Sequence, residues 1–166
     1  MKVFLQGRRF GFSPRAALAC IAVGIGLSLT LSDLMAWFAW GQRDTGGIAI
    51  VADWLAHLVT VVLGLAVLAS LAEYIDVPSD DRSIARLDFI AGLVAFLLYG
   101  ASAFLRGLDV GGAAASTAPF LLAIAGLIVA FVDAALAANL YGAREWEELD
   151  EEPIREHRPR RRAASR

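Results

Sequence analysis

A single cysteine, Cys20, among 166 residues excludes, within one chain, both a disulfide framework and a cysteine-built metal cluster. Histidine is almost as scarce. His57 and His157 are the only two, and His157 falls in a charged C-terminal stretch, so paired-histidine haem ligation inside the apolar part of one chain is ruled out. Charge is also thin: Asp, Glu, Lys and Arg make up 19% of the chain, against about 25% in soluble domains. Proline is rare and peripheral. Pro14 and Pro119 stand near the starts of apolar runs, where a missing N–H costs nothing, Pro78 lies between two runs, and Pro153 and Pro159 follow the last. There is no glycine-rich phosphate loop, nucleophile elbow or zinc signature, and no pair of interrupted helices of the transporter kind.

What the chain has in excess is apolar sequence, 58% of residues with a mean hydropathy of +0.60. The excess is gathered in four runs, residues 16–40, 48–73, 84–105 and 119–141, each near the roughly 20 residues that cross a bilayer as a helix. The runs are continuous and rich in Ala and Leu, without the apolar–polar alternation of a membrane barrel. The first is too long for a signal core of about 7–15 residues, and no small-x-small site closes it. It ends in Trp37, Phe38 and Trp40, side chains suited to a membrane interface. The pattern predicts an all-α, integral membrane four-helix bundle with up-down topology over residues 1–143, followed by a charged tail, 144–166, read as disordered because it combines charge, two prolines and few apolar residues. The stripes Ala22, Gly26 and Thr30, then Gly92 and Gly100, then Ala130, Ala134 and Ala138 offer the small side chains through which membrane helices pack. Gly24 is read in the same way.

Orientation follows from the basic residues. All but Arg43 and Arg106 of the fifteen fall in the N-terminal segment, in the connection between the second and third runs, or in the tail. By the positive-inside rule both termini are cytoplasmic, and the expected location is the plasma (inner) membrane of a bacterium, as a multi-pass protein. Within the tail, Arg158, Arg160, Arg161 and Arg162 form a candidate contact with anionic lipid, worth about 1 kcal/mol per basic residue near the surface. Nucleic acid is not expected as a partner, because an acidic block from Glu145 to Glu152 adjoins the arginines.

Ionisable residues inside the apolar runs are expensive and point to function. Counting about 1.5 Å per residue, Asp33 lies about 10 Å inside the outer end of the first helix, and Asp53 and His57 about 8 and 13 Å inside the second. These three share one level. A second group, Asp88 and Asp133, lies in the inner half, with Arg86 close enough in sequence to serve as a partner. Asp33, His57, Asp88 and Asp133 are therefore expected to be buried polar residues, with Asp33 and His57 bonded across helices one and two. Two other readings of the outer level are a divalent metal held by Asp33, Asp53 and His57, and a haem or proton relay at His57. No cofactor is assigned.

Three stretches resemble a bacterial family of four-helix membrane proteins of unknown function, some of whose members occur fused to or beside Rieske-type iron–sulfur domains. SLTLSDLMAWF, residues 28–38, is similar to the end of that family's first helix. GLAVLASLAEYIDVP, residues 64–78, looks like its second helix and the loop after it, and LLYGASAFLRGLD, residues 97–109, like the end of its third. The family often has His-Pro at the first helix and His, with Asn four residues on, at the third. Here the residues are Ser13-Pro14 and Asp88 with Gly92. The resemblance implies the four-helix fold and carries no activity with it.

The expectation is a non-enzymatic membrane protein, a structural or accessory subunit of a larger assembly whose partners are the bilayer and other membrane subunits or copies of itself. A redox or metal-binding protein using the Asp33, Asp53 and His57 level, and a small oligomeric transporter, are the alternatives.

Overall fold

The computed structural model describes residues 14–40, 46–75, 82–108 and 116–156, without the side chains of residues 73 and 140–156. Four helices account for nearly all of it: α1 (Pro14–Trp37), α2 (Gly46–Tyr74), α3 (Arg82–Leu108) and α4 (Thr117–Glu156). All four are long and apolar enough to cross a membrane, and the chain is a multi-pass membrane protein.

The helix ends have local causes. Pro14 opens α1, where its fixed φ is already helical. At the other end Ala39 takes a left-handed φ of 47°, Trp40 N–H donates to the Met35 carbonyl at 3.1 Å and Ala39 N–H to that of Ala36 at 3.4 Å. That is a Schellman motif with alanine where glycine is usual, and it stops α1 at Trp37, short of the expected residue 40. Helix α4 departs further from expectation. It does not stop near Tyr141 but continues to Glu156, into the segment read as disordered. Residues 143–152 are mostly Ala, Glu and Arg, good helix formers, and extending an existing helix needs no new nucleus. Arg158, Arg160, Arg161 and Arg162 lie outside the described residues.

Each helix packs on two neighbours, α1 and α3 each against both α2 and α4, so α1 and α3 face one another across a diagonal. The start of α1 shares a level with the start of α3, the end of α2 and the later part of the α4 span Thr117–Asn139, through contacts of Arg15, Asp88, Ser70 and Asp133. The bundle therefore runs up-down-up-down.

Its interior is built of small residues. Ala19, Ala22, Ala52, Ala56, Ala66, Ala95, Ala123 and Ala130 are buried, while Leu27, Leu31, Val61, Leu68, Leu97 and Ile128 face outward. This inverts the soluble pattern, as lipid allows: the large side chains are solvated by acyl chains, and the small ones let backbones approach. Tyr99 is the large exception inside. Its ring lies against Gly126, where a Cβ would come within 3.0 Å of it, and its hydroxyl abuts Gly26. The two glycines make room for this buried aromatic ring. Gly24, read as a packing residue, instead has open space around it. On α4 the buried stripe is Ala123, Ala130 and Ala137, and Ala134 and Ala138 lie outside it.

Candidate functional site

Among the described residues two ionic groups lie inside the bundle, one toward each end. Toward the end where α1 finishes, Arg106 of α3 reaches across the diagonal to Asp33 of α1. Its Nη1 donates to Asp33 Oδ1 at 2.8 Å and its Nη2 to Oδ2 at 2.5 Å, a fork-to-fork arrangement that meets both carboxylate oxygens with matched donors. Asp33 is 1% and Arg106 8% exposed. Ser102, one turn before Arg106, donates to the Pro119 carbonyl at 2.7 Å, which ties the start of α4 to the same layer.

Toward the other end, Arg15 at the start of α1 meets two acids. Its Nε donates to Asp88 Oδ2 at 3.2 Å and its Nη2 to Asp88 Oδ1 at 3.0 Å. The same Nη2 also makes a very short contact with Asp133 Oδ1. Ser70 of α2 donates to Asp88 Oδ2 at 2.8 Å. All four helices thus contribute one polar side chain. Gly92 makes the approach possible: a Cβ there would lie 3.0 Å from Asp133 Oδ1 and 3.3 Å from Arg15 Nη2.

The two layers follow one rule. Arg15 and Asp33 on α1 are eighteen residues apart, and so are Asp88 and Arg106 on α3. Eighteen residues are five helical turns, about 27 Å, so each pair returns to the same face. The signs are reversed between the two parallel helices, and each cation therefore meets an acid at its own level.

Asp53 and His57 do not join either layer. They lie on the outward face of α2, with side chains 42% and 52% exposed, the His57 Nδ1 3.7 Å from Asp53 Oδ1 and 2.9 Å from the Asp53 carbonyl oxygen. Two expectations need correction here. His57 is not a buried polar residue, and it does not pair with Asp33, whose carboxylate is taken by Arg106. The interior of α2 is marked by Ala52, Ala56, Val59 and Leu63. Residues 53 and 57 each follow an inward alanine by one position, about 100° around the helix. The proposed metal set of Asp33, Asp53 and His57 is thereby split between the interior and the outer surface, and among the described residues no three His, Cys, Asp or Glu side chains are grouped to hold a metal. Asp33, Asp88 and Asp133 are all buried, but the partner of the inner acids is Arg15. Arg86, considered for that role, is exposed.

Arg15 and Arg106 are the residues that sequence reasoning missed. Each stands at the edge of an apolar run and was counted with the charges outside the membrane. The eighteen-residue spacing with opposite signs was the available signal.

Comparison with protein-family models, with characterised proteins and with solved structures gave no match to this chain. The family resemblance rests on its three quoted stretches alone.

Proposed function

We propose that this protein is an accessory subunit of the bacterial plasma membrane, with both termini cytoplasmic, that binds another membrane protein through the outward face of α2 and performs no chemistry of its own. One observation carries the reading: an ionisable pair, Asp53 and His57, is exposed on the bundle surface within a membrane span. Helix α2 has 29 residues, about 43 Å against a hydrocarbon core of about 30 Å; with the overhang shared equally, His57 lies about 10 Å inside the apolar layer. Asp53, four residues earlier, lies about 4 Å inside by the same count, and a carboxylate facing lipid costs about 2.5–3.5 kcal/mol at the bilayer centre and less toward its edge. The two buried layers of this protein show the opposite treatment, with each acid turned inward to a cation. Asp53 Oδ1 itself is buried, 3.7 Å from His57 Nδ1, so what faces outward is the rest of the Asp53 carboxylate and the His57 ring, and the fitting partner is a membrane helix that presents a polar side chain to them. Trp54, 71% exposed beside it, adds an aromatic contact of the kind enriched at interfaces.

The test is a photoreactive side chain in place of Trp54, activated in native membranes. A discrete adduct with a second membrane protein is expected, and it should vanish when Asp53→Leu and His57→Leu are combined. Adducts with lipid only, or an adduct unchanged by the double replacement, would refute the reading. An adduct with a second copy of this chain would replace the accessory role by self-assembly.

A further inference from the structure

The inner layer has an odd charge count. Arg15 supplies one positive charge, and Asp88 and Asp133 could supply two negative ones. The two acids are not treated alike. Asp88 accepts three hydrogen bonds, two from Arg15 and one from Ser70, so both of its oxygens are met by donors. Asp133 has its Oδ1 against Arg15 Nη2, while its Oδ2, like Arg15 Nη1, is buried without a hydrogen-bond partner among the described residues. The residue is 0% exposed, and it stands about 9 Å inside the C-terminal limit of the α4 span at Asn139 by the helical rise. No other described charged group faces it. Arg15 is contributed by α1, Ser70 by α2 and Asp88 by α3, while Arg82 and Arg86 of α3 are exposed. A bare carboxylate oxygen in a low-dielectric interior either takes a proton or takes a counter-ion.

We propose that the Arg15–Asp88–Asp133 layer is a one-proton binding site, with the proton carried on Asp133 Oδ2. In the loaded state Arg15 and Asp88 form the ion pair, Asp133 is a neutral carboxylic acid, and the layer carries no net charge. Release of the proton to water leaves Asp133 as carboxylate and the layer with one net negative charge, shared against a single guanidinium. Asp33 and Arg106 balance one to one, with every carboxylate oxygen bonded, so the outer layer has no such site. The proton site belongs to the end of the bundle where α1 and α3 begin. It stands independently of the α2 surface.

Infrared spectroscopy of the full chain in lipid nanodiscs tests this directly, because a protonated carboxyl has a carbonyl stretch distinct from that of a carboxylate. At pH 7 the spectrum of the wild type minus that of Asp133→Asn should show one protonated carboxyl. The band should also be lost in Asp88→Asn, since Arg15 is then free to pair with Asp133 as an ion. Asp33→Asn should leave it unchanged. In the wild type alone, the band should shift in deuterium oxide and disappear only as the pH is raised above neutrality, a measurement that does not depend on any variant folding. Absence of a protonated carboxyl in the wild type at pH 7, or its persistence at full strength in Asp133→Asn, overturns the proposal. Thermal stability that depends on sodium or potassium, in a sample without the band, would show a cation there instead.

Discussion

At Tyr99 packing and polarity disagree. It is completely buried, its ring fills the space left by Gly126 and Gly26, and its hydroxyl has no hydrogen-bond partner among the described residues. A buried hydroxyl without a partner costs about 1–3 kcal/mol, whereas the ring alone does the filling. Tyr99→Phe is therefore expected to leave the protein as stable as before or to raise its stability by about 1 kcal/mol, read as the midpoint of thermal unfolding in detergent. A clear loss of stability would mean that the hydroxyl is bonded after all, to water or to a bound group. Tyr99 was not singled out from the sequence, because one tyrosine in an apolar run looks like any other core aromatic. The buried acids were legible for the opposite reason: Asp33, Asp88 and Asp133 are conspicuous wherever the surroundings are Leu and Ala. His57 was misplaced because level was considered without angle. The small residues Ala52 and Ala56 show which side of α2 faces inward, and His57 is off that side.

Among the helices, the four spans could be read from hydropathy alone, since a bilayer demands continuous apolar length. Their ends could not. The stop of α1 depends on a left-handed Ala39 rather than on glycine, and the extension of α4 runs through charged residues that hydropathy assigns to water. Pairing between helices was legible only in part, because Arg15 and Arg106 sit where topology charges also sit. The α1–α3 diagonal makes a specific prediction. Removing one partner of a buried ion pair strands the other and costs about 3–5 kcal/mol, while replacing both with apolar residues is often close to neutral. Asp33→Leu and Arg106→Leu are each expected to destabilise the bundle by that amount, and the double variant to recover most of the loss, in a double-mutant cycle of unfolding in mixed micelles. Asp33→Leu combined with His57→Leu should show no recovery, because those side chains are not partners. Additive losses for Asp33 and Arg106 would contradict the pairing seen here.

For the whole molecule, the two ionic layers give a ruler. They stand about 27 Å apart along the bundle by the helical rise, close to the roughly 30 Å of a hydrocarbon core. The alanine-rich interior and Tyr99 lie between the two layers. The structure also changes which charges count toward orientation. Arg15 and Arg106 are neutralised inside the bundle and belong to neither surface, so Arg43 is the sole basic residue left on the side opposite the termini. The remaining basic residues precede α1, stand in the first turns of α3 (Arg82, Arg86), or lie in the C-terminal part of α4 and after it, and the proposed cytoplasmic placement of their side rests on the positive-inside rule. Reporter fusions after Asp80 and after Arg166 should accordingly give a cytoplasmic signal, and fusions after Arg43 and after Asp109 an external one. Removing Arg106 from the count makes a sharper claim: Arg106→Leu should leave all four signals unchanged even where it destabilises the bundle, because its charge acts on Asp33 and not on insertion. Loss of a positive charge from that side can only favour the same orientation under the positive-inside rule, so a reversed signal at Asp109 in that variant would contradict the rule as applied to this chain. A cytoplasmic signal at Asp109 in the unsubstituted chain would reverse the orientation itself.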